Sequence, residues 1–190
     1  ICCKDTGRVS EIMSNGFTYH NAKLKRKSLS IFQILKEVKV FKDVINIVKP
    51  NIIHLISLRP IVIGSLISFI NKNNNICITF TGLGYIFISK KIKNIFLRFI
   101  VKNLLMISYS KVNLKVITQN SDDKKYLLRS NIFKEDKVDI IRGSGIDLDH
   151  FKTLPEPKSK SITVSYTGRM LKDKGVDWLV KGFLEAKKEF

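Results

Sequence analysis

Short β-branched runs alternate along this chain with longer stretches of helical period. Residues Ile52–Leu55, Ile76–Phe80, Lys115–Thr118, Val138–Ile141 and Ile162–Tyr166 have the length and residue types of buried strands. Between and beyond them, Ser30–Lys49, Ile61–Asn71, Ile88–Ser108, Asp122–Ser130 and Val176–Glu189 repeat apolar residues at helical spacing. Ser121, followed by Asp122 and Asp123, predicts a helix start: a capping hydroxyl, then carboxylates near the positive end of the helix dipole. Pro50-Asn51 closes the helix before the first of these strands. Such alternation predicts an α/β fold, a doubly wound parallel sheet with helices on both faces. Ligands of such sheets bind beyond the carboxyl ends of the strands, so functional residues are expected just after each strand.

Two segments fit that expectation best. Arg142–Asp147 reads Arg-Gly-Ser-Gly-Ile-Asp, and Thr167–Gly175 reads Thr-Gly-Arg-Met-Leu-Lys-Asp-Lys-Gly. Each follows a β-branched run, and the second opens a helical pattern. Glycines let backbone approach an anion, helix N–H groups point at it, and Lys or Arg adds full charge. Arg169 and Lys174 bracket the second loop, where a planar fork and a point charge suit a diphosphate. Gly143, Ser144 and Gly145 offer either an interdomain hinge or the floor of a ligand site. A third loop, Thr81-Gly-Leu-Gly84, follows the Ile76–Phe80 strand. It does not complete a dinucleotide fingerprint: residue 87 is Phe and no acid follows until Asp122, which argues against a nicotinamide or flavin site. His54 stands at a strand end, where both a structural hydrogen bond and a ligand contact remain open. Pro155–Ser161 is polar and carries two prolines, which predicts a linker and a domain boundary, with residues 1–154 on one side and 155–190 on the other.

Composition narrows the class. The chain has 190 residues, 44% of them hydrophobic, enough for one α/β domain and the start of another. Cys2, Cys3 and Cys77 form neither a disulfide framework nor a zinc spacing, which fits reduced cysteines in a cytosolic protein. The longest clean apolar run, Ile61–Ile70, is far short of the roughly 20 residues needed to span a bilayer. The net charge of +18 is uneven: residues 1–121 hold 19 basic and 4 acidic side chains, against 15 and 12 in residues 122–190. No acid lies between Asp43 and Asp122. An excess of that size points to a polyanionic partner, a membrane surface or a nucleic acid, although abundant Lys, Ile and Asn also suit drift in an AT-rich genome. On the 88–108 helix, Ile92, Ile95, Phe96, Phe99, Ile100 and Ile107 share one face, beside a stripe of Lys91, Arg98 and Lys102. That pattern suits either the interface of an anionic membrane or a packed core helix with a solvated edge. The aromatic residues sit within apolar patterns and are not interleaved with basic ones, which disfavours nucleic acid as the partner.

Taken together, these motifs resemble one family, the bacterial retaining glycosyltransferases of family four, which have the two-domain GT-B fold. Lys49–Leu55 with Arg59-Pro60 resembles the family's strand and following loop. Thr81–Phe87 resembles the Thr-Gly-Leu-Gly-Tyr loop of the branch acting on polyprenyl-diphosphate-linked glycans. Ile117–Asn120, Gly143–Asp147 with Phe151, and Tyr166–Asp177 resemble three further family segments, in the same order. Two positions depart from the pattern: Ile56 replaces a family His, and Thr81 stands where many relatives carry His.

The resemblance implies an acceptor-binding first domain and a nucleotide-sugar donor domain that begins near residue 155. It implies that Arg169 and Lys174 grip the donor diphosphate, and that no metal or other cofactor is needed. Thr81, Gly82 and Gly84 would floor the reacting sugar, Gly143, Ser144 and Gly145 would line the hinge side, and His54 and Arg59 would face the acceptor. The donor would be a nucleotide-sugar, UDP-linked, and the acceptor a polyprenyl-diphosphate-linked glycan in surface polysaccharide biosynthesis. The protein would sit on the cytoplasmic face of an anionic membrane. The resemblance further places the opening strand before Ile1 and the paired glutamates of the donor site after Phe190, so this stretch is expected to be inactive alone. The rival reading, from the charge, is a non-catalytic basic module that binds a membrane surface or nucleic acid.

Overall fold

A computed structural model describes residues 1–22, 24–25, 30–69, 75–84, 87, 89–110, 113–143, 145–155, 162–168, 170 and 174–189. They form β1 (Cys2–Cys3), α1 (Val9–Ser14), β2 (His20–Asn21), α2 (Ile31–Val48), β3 (Ile52–Ile56), α3 (Leu58–Ser68), β4 (Asn75–Phe80), α4 (Ile92–Tyr109), β5 (Leu114–Thr118), α5 (Ser121–Arg129), β6 (Val138–Ile140) and α6 (Val176–Glu189). The chain divides into two compact units, Ile1–Gly145 and Ile146–Phe190.

In the first unit, β3, β4, β5 and β6 form one parallel sheet in sequence order. The fold class is therefore the expected α/β with a parallel sheet. Among the described residues, one face of this sheet is covered. Leu55, Ile76, Ile78, Phe80, Leu114, Val116, Thr118 and Val138 are buried on one face, whereas Ile52, His54, Ile56, Lys115 and Asp139 on the other are exposed. The reason lies in the strand order. Right-handed crossovers between successive neighbouring strands carry every connecting helix to the same side. Alternation in the sequence does not reveal strand order, so it could not distinguish one covered face from two.

The helix layer is built around α3. Ile61 joins the sheet core with Leu105 and Tyr109 of α4, while Ile63 and Ile67 pack into a second cluster with Phe41 of α2 and Ala22. Gly64 makes the approach possible, since a Cβ there would collide with Leu55 of β3. The α3–α4 contact is also polar: the Tyr109 hydroxyl donates to Ile61 O at 2.9 Å, and burial pushes that phenol well above its ordinary pKa.

Element boundaries moved where local chemistry competed with periodicity. Helix α3 starts at Leu58, so Arg59 and Pro60 lie in its first turn, where a missing proline N–H costs no intrahelical bond. Asn120, not Ser121, caps α5: its Oδ1 accepts from the Asp123 N–H at 2.7 Å and its Nδ2 donates to the Asp123 carboxylate at 3.0 Å. Helix α4 begins at Ile92, after Ser89 has accepted from the Asn94 amide. Residues Ile162–Tyr166 form no strand, and among the described residues 146–190 there is no other strand to pair with them. The short parallel pair β1–β2 and helix α1 carry too few residues for periodicity to signal.

One interior charge stands out. Glu37 of α2 is 1% exposed, and its carboxylate accepts from Arg59 Nε at 2.7 Å and Arg59 Nη2 at 3.0 Å. The Lys25 N–H and the Gln33 amide complete its shell, at 3.0 and 2.8 Å. Burial by itself raises the Glu37 pKa, but the hydrogen bonds and the guanidinium charge outweigh it and hold the carboxyl below its ordinary value. The unfolded chain therefore takes up that proton first as pH falls. The pair's stabilisation is complete at neutral pH and is lost as pH drops through the ordinary carboxylate range, about 4, toward the lower folded value. Replacing either partner alone, by Glu37→Gln or Arg59→Met, is expected to destabilise the fold by about 3–5 kcal/mol in urea denaturation at pH 7. With Glu37→Gln, the loss of stability below pH 5 becomes shallower; an unchanged acid limb would contradict the assignment.

Candidate functional site

Because all four strands of the sheet run the same way, their carboxyl ends share one edge, and the loops that leave it are the expected ligand site. That edge collects unusual backbone. Ser57 after β3, Gly82 and Gly84 after β4, and Gly143 and Gly145 after β6 all have positive φ. The sequence-predicted residues Thr81, Gly82, Gly84, Gly143 and Gly145 are thus brought to one edge of one unit.

The β4 loop shows how this arises. Leu83 and Phe87 are buried in the core, and Phe87 meets Tyr126 of α5 edge-on at 5.7 Å. The Phe87 N–H donates to Gly84 O at 3.1 Å. Two apolar anchors and a tight turn thus pin the loop. On either side of the Leu83 anchor, Gly82 and Gly84 turn at φ 128° and 78° with nothing within 4 Å of where a Cβ would lie. Exposed Thr81 and the bare glycine backbone leave room for an incoming group at the sheet edge.

Ser57 was not singled out by the sequence. Its φ of 73° and ψ of 159° fall in a region that glycine alone occupies readily, at a cost of about 1–3 kcal/mol. Its N–H donates to Thr79 O at 3.0 Å, which ties the β3 and β4 exits together. A serine between Ile56 and Leu58 carries no compositional sign of that conformation.

The other candidates lie elsewhere. His54 is on the exposed sheet face, where its Nε2 lies 2.8 Å from the Thr79 hydroxyl across the β3–β4 pair. Arg59, expected to face the acceptor, is engaged with buried Glu37. Glu37 itself went unnoticed, although a signal existed: it sits on the stripe of Ile34, Phe41 and Ile45, and a carboxylate at a core-facing position requires a cation. In the second unit, Lys174 is exposed just before α6, and Gly175 turns at φ 72° to start that helix. Asp147 caps its own turn, accepting from the Asp149 and His150 N–H groups at 2.9 and 3.2 Å. Arg169, Ser144 and all of the predicted linker except Pro155 lie outside the described residues.

The anchoring of the β4 loop can be measured. Leu83→Ala is expected to cost about 2–5 kcal/mol, as for a buried leucine, and Gly84→Ala about 1–2 kcal/mol from its left-handed backbone. Thr81→Ala should stay within about 0.5 kcal/mol. Denaturant midpoints would check the ranking, and a neutral Leu83→Ala would show that the loop is not pinned.

The comparison with protein families matches this framework. A family model described as Glycosyl transferase 4-like covers residues 1–120, from β1 through β5 and the loop after β4. Comparison with curated proteins gives no match.

Proposed function

The chain belongs to the glycosyl transferase 4-like family, and we propose that the protein transfers a sugar from a nucleotide-diphosphate donor, UDP-linked, to a polyprenyl-diphosphate-linked glycan, with retention at the anomeric carbon. One observation carries this reading: within the matched residues, the Thr81–Gly84 backbone lies bare and pinned at the carboxyl edge of a parallel sheet.

The chemistry follows from the charge that moves. The bond from the anomeric carbon to the diphosphate oxygen breaks while a new bond to the acceptor hydroxyl oxygen forms, and the hydroxyl proton passes to the departing diphosphate oxygen. Negative charge grows on the nucleotide diphosphate. Arg169 and Lys174 are proposed to stabilise it, a preorganised electrostatic contribution that needs no metal. The Gly82–Gly84 backbone would support the sugar, and Gly143, Ser144 and Gly145 would line the neighbouring wall. His54 is proposed to act on the acceptor side. Arg59, fixed on Glu37, would contribute by holding the start of α3 and the Ser57 turn in place. The products fit surface polysaccharide assembly on the cytoplasmic side of the membrane.

The test is nucleotide release from a UDP-sugar by the full-length protein given a polyprenyl-diphosphate-sugar. Arg169→Ala and Lys174→Ala are each expected to lower turnover at least about a hundredfold, in line with loss of a transition-state charge contact, with unchanged circular dichroism. Full turnover in both variants would reject the assignment of the diphosphate site.

A further inference from the structure

Helix α4 has two faces of opposite kind. Its inner arc, Val101, Leu105, Ser108 and Tyr109, is buried. Tyr109 and Ser108 fasten it to α3 through Ile61 O and the Ser68 hydroxyl, at 2.9 and 3.3 Å. The opposite arc is apolar and open: Ile92 is 86% exposed, Phe96 65%, Phe99 64% and Ile107 61%. With Ile95 and Ile100, these residues span about 140° of the helix surface at 100° per residue. A helix packed on all sides would bury this arc.

The rim of the arc is cationic. On the helical projection Lys93 borders one side and Lys102 the other, with Lys91 at the amino end. Asn103 lies within the arc and turns its amide back to the Phe99 carbonyl at 2.8 Å, so its polar end is partly satisfied locally. The helix has no acid, nor does any position between Asp43 and Asp122. That charge pattern selects among occupants. A second copy docked face to face would bring these lysines against their own counterparts without a carboxylate on the helix to neutralise them. A surface with an apolar interior and an anionic rim complements them.

We propose that the outer arc of α4 is a docking face for an anionic lipid bilayer. Ile92, Phe96, Phe99 and Ile107 enter the boundary between headgroups and acyl chains, about 5–10 Å deep. The stems of Lys93 and Lys102 lie along the apolar surface and their ammonium groups reach lipid phosphates. Among the described residues no helix is long and apolar enough to cross a membrane, so the contact is interfacial.

Co-sedimentation of the purified protein with phosphatidylcholine vesicles, with and without phosphatidylglycerol, tests the proposal. Binding is expected to vesicles containing phosphatidylglycerol, to weaken with salt, and to be at least about tenfold weaker on phosphatidylcholine alone. Phe96→Ser combined with Phe99→Ser should lower partitioning by at least about tenfold, and Lys93→Glu combined with Lys102→Glu by about tenfold at low salt. All four side chains lie on the outer arc or its rim, so denaturation midpoints serve as the folding control. Equal partitioning of wild type and the phenylalanine variant, or no binding by wild type, would overturn the proposal. A wild-type dimer in sedimentation velocity that the phenylalanine variant dissolves would overturn it in favour of self-association. No donor sugar is present, so the result is independent of whether the protein transfers sugar.

Discussion

The parallel sheet is wound in one direction, and most of the unit follows from that constraint. Four strands in sequence order, each returned by a helix, put the helices on one side and the strand exits on one edge. The helix side then needs a close-packed seam. Gly64 lets α3 settle against Leu55, and Ile61 and Ile63 divide its burial between two apolar clusters. Helix α4 packs on α3 with one arc and leaves the opposite arc free. The edge needs turns that reverse direction sharply, and it uses residues with positive φ to make them.

The Glu37–Arg59 pair is the polar counterpart of that seam. It joins the middle of α2 to the first turn of α3, immediately after the strained Ser57 turn. A bidentate fork on a buried carboxylate fixes angle as well as distance, which a hydrophobic contact does not. The pair therefore contributes orientation to the β3 exit. It also explains why an arginine that the family resemblance would place on the acceptor has its guanidinium turned inward.

Much of the architecture was legible in the residues. The β-branched runs located β3 to β6 because strands buried on at least one face need such side chains, and the helical period located α2, α4, α5 and α6. What escaped was set by partners distant in sequence. Ile162–Tyr166 has strand character, but the described residues 146–190 hold no neighbouring strand to complete its hydrogen bonds. The Asn120 cap prevailed over Ser121 because only its side chain reaches the Asp123 N–H. At the candidate site, the glycines of the β4 and β6 loops were visible because positive φ favours glycine. Ser57 was not visible, because a serine gives no sign of such a backbone. Glu37 and Arg59 are 22 positions apart, so periodicity along either helix could not pair them. The second charged loop rests on Lys174, exposed ahead of α6, and on Arg169, outside the described residues.

The His54–Thr79 contact has a consequence of its own. It lies on the uncovered side of the sheet, bridging two neighbouring strands at 2.8 Å. A ring nitrogen of neutral imidazole donates or accepts according to the tautomer, and the threonine hydroxyl can do either. The hydroxyl rotor thus serves either tautomer without moving a strand, and the β3–β4 register carries a side-chain clasp beside its backbone ladder.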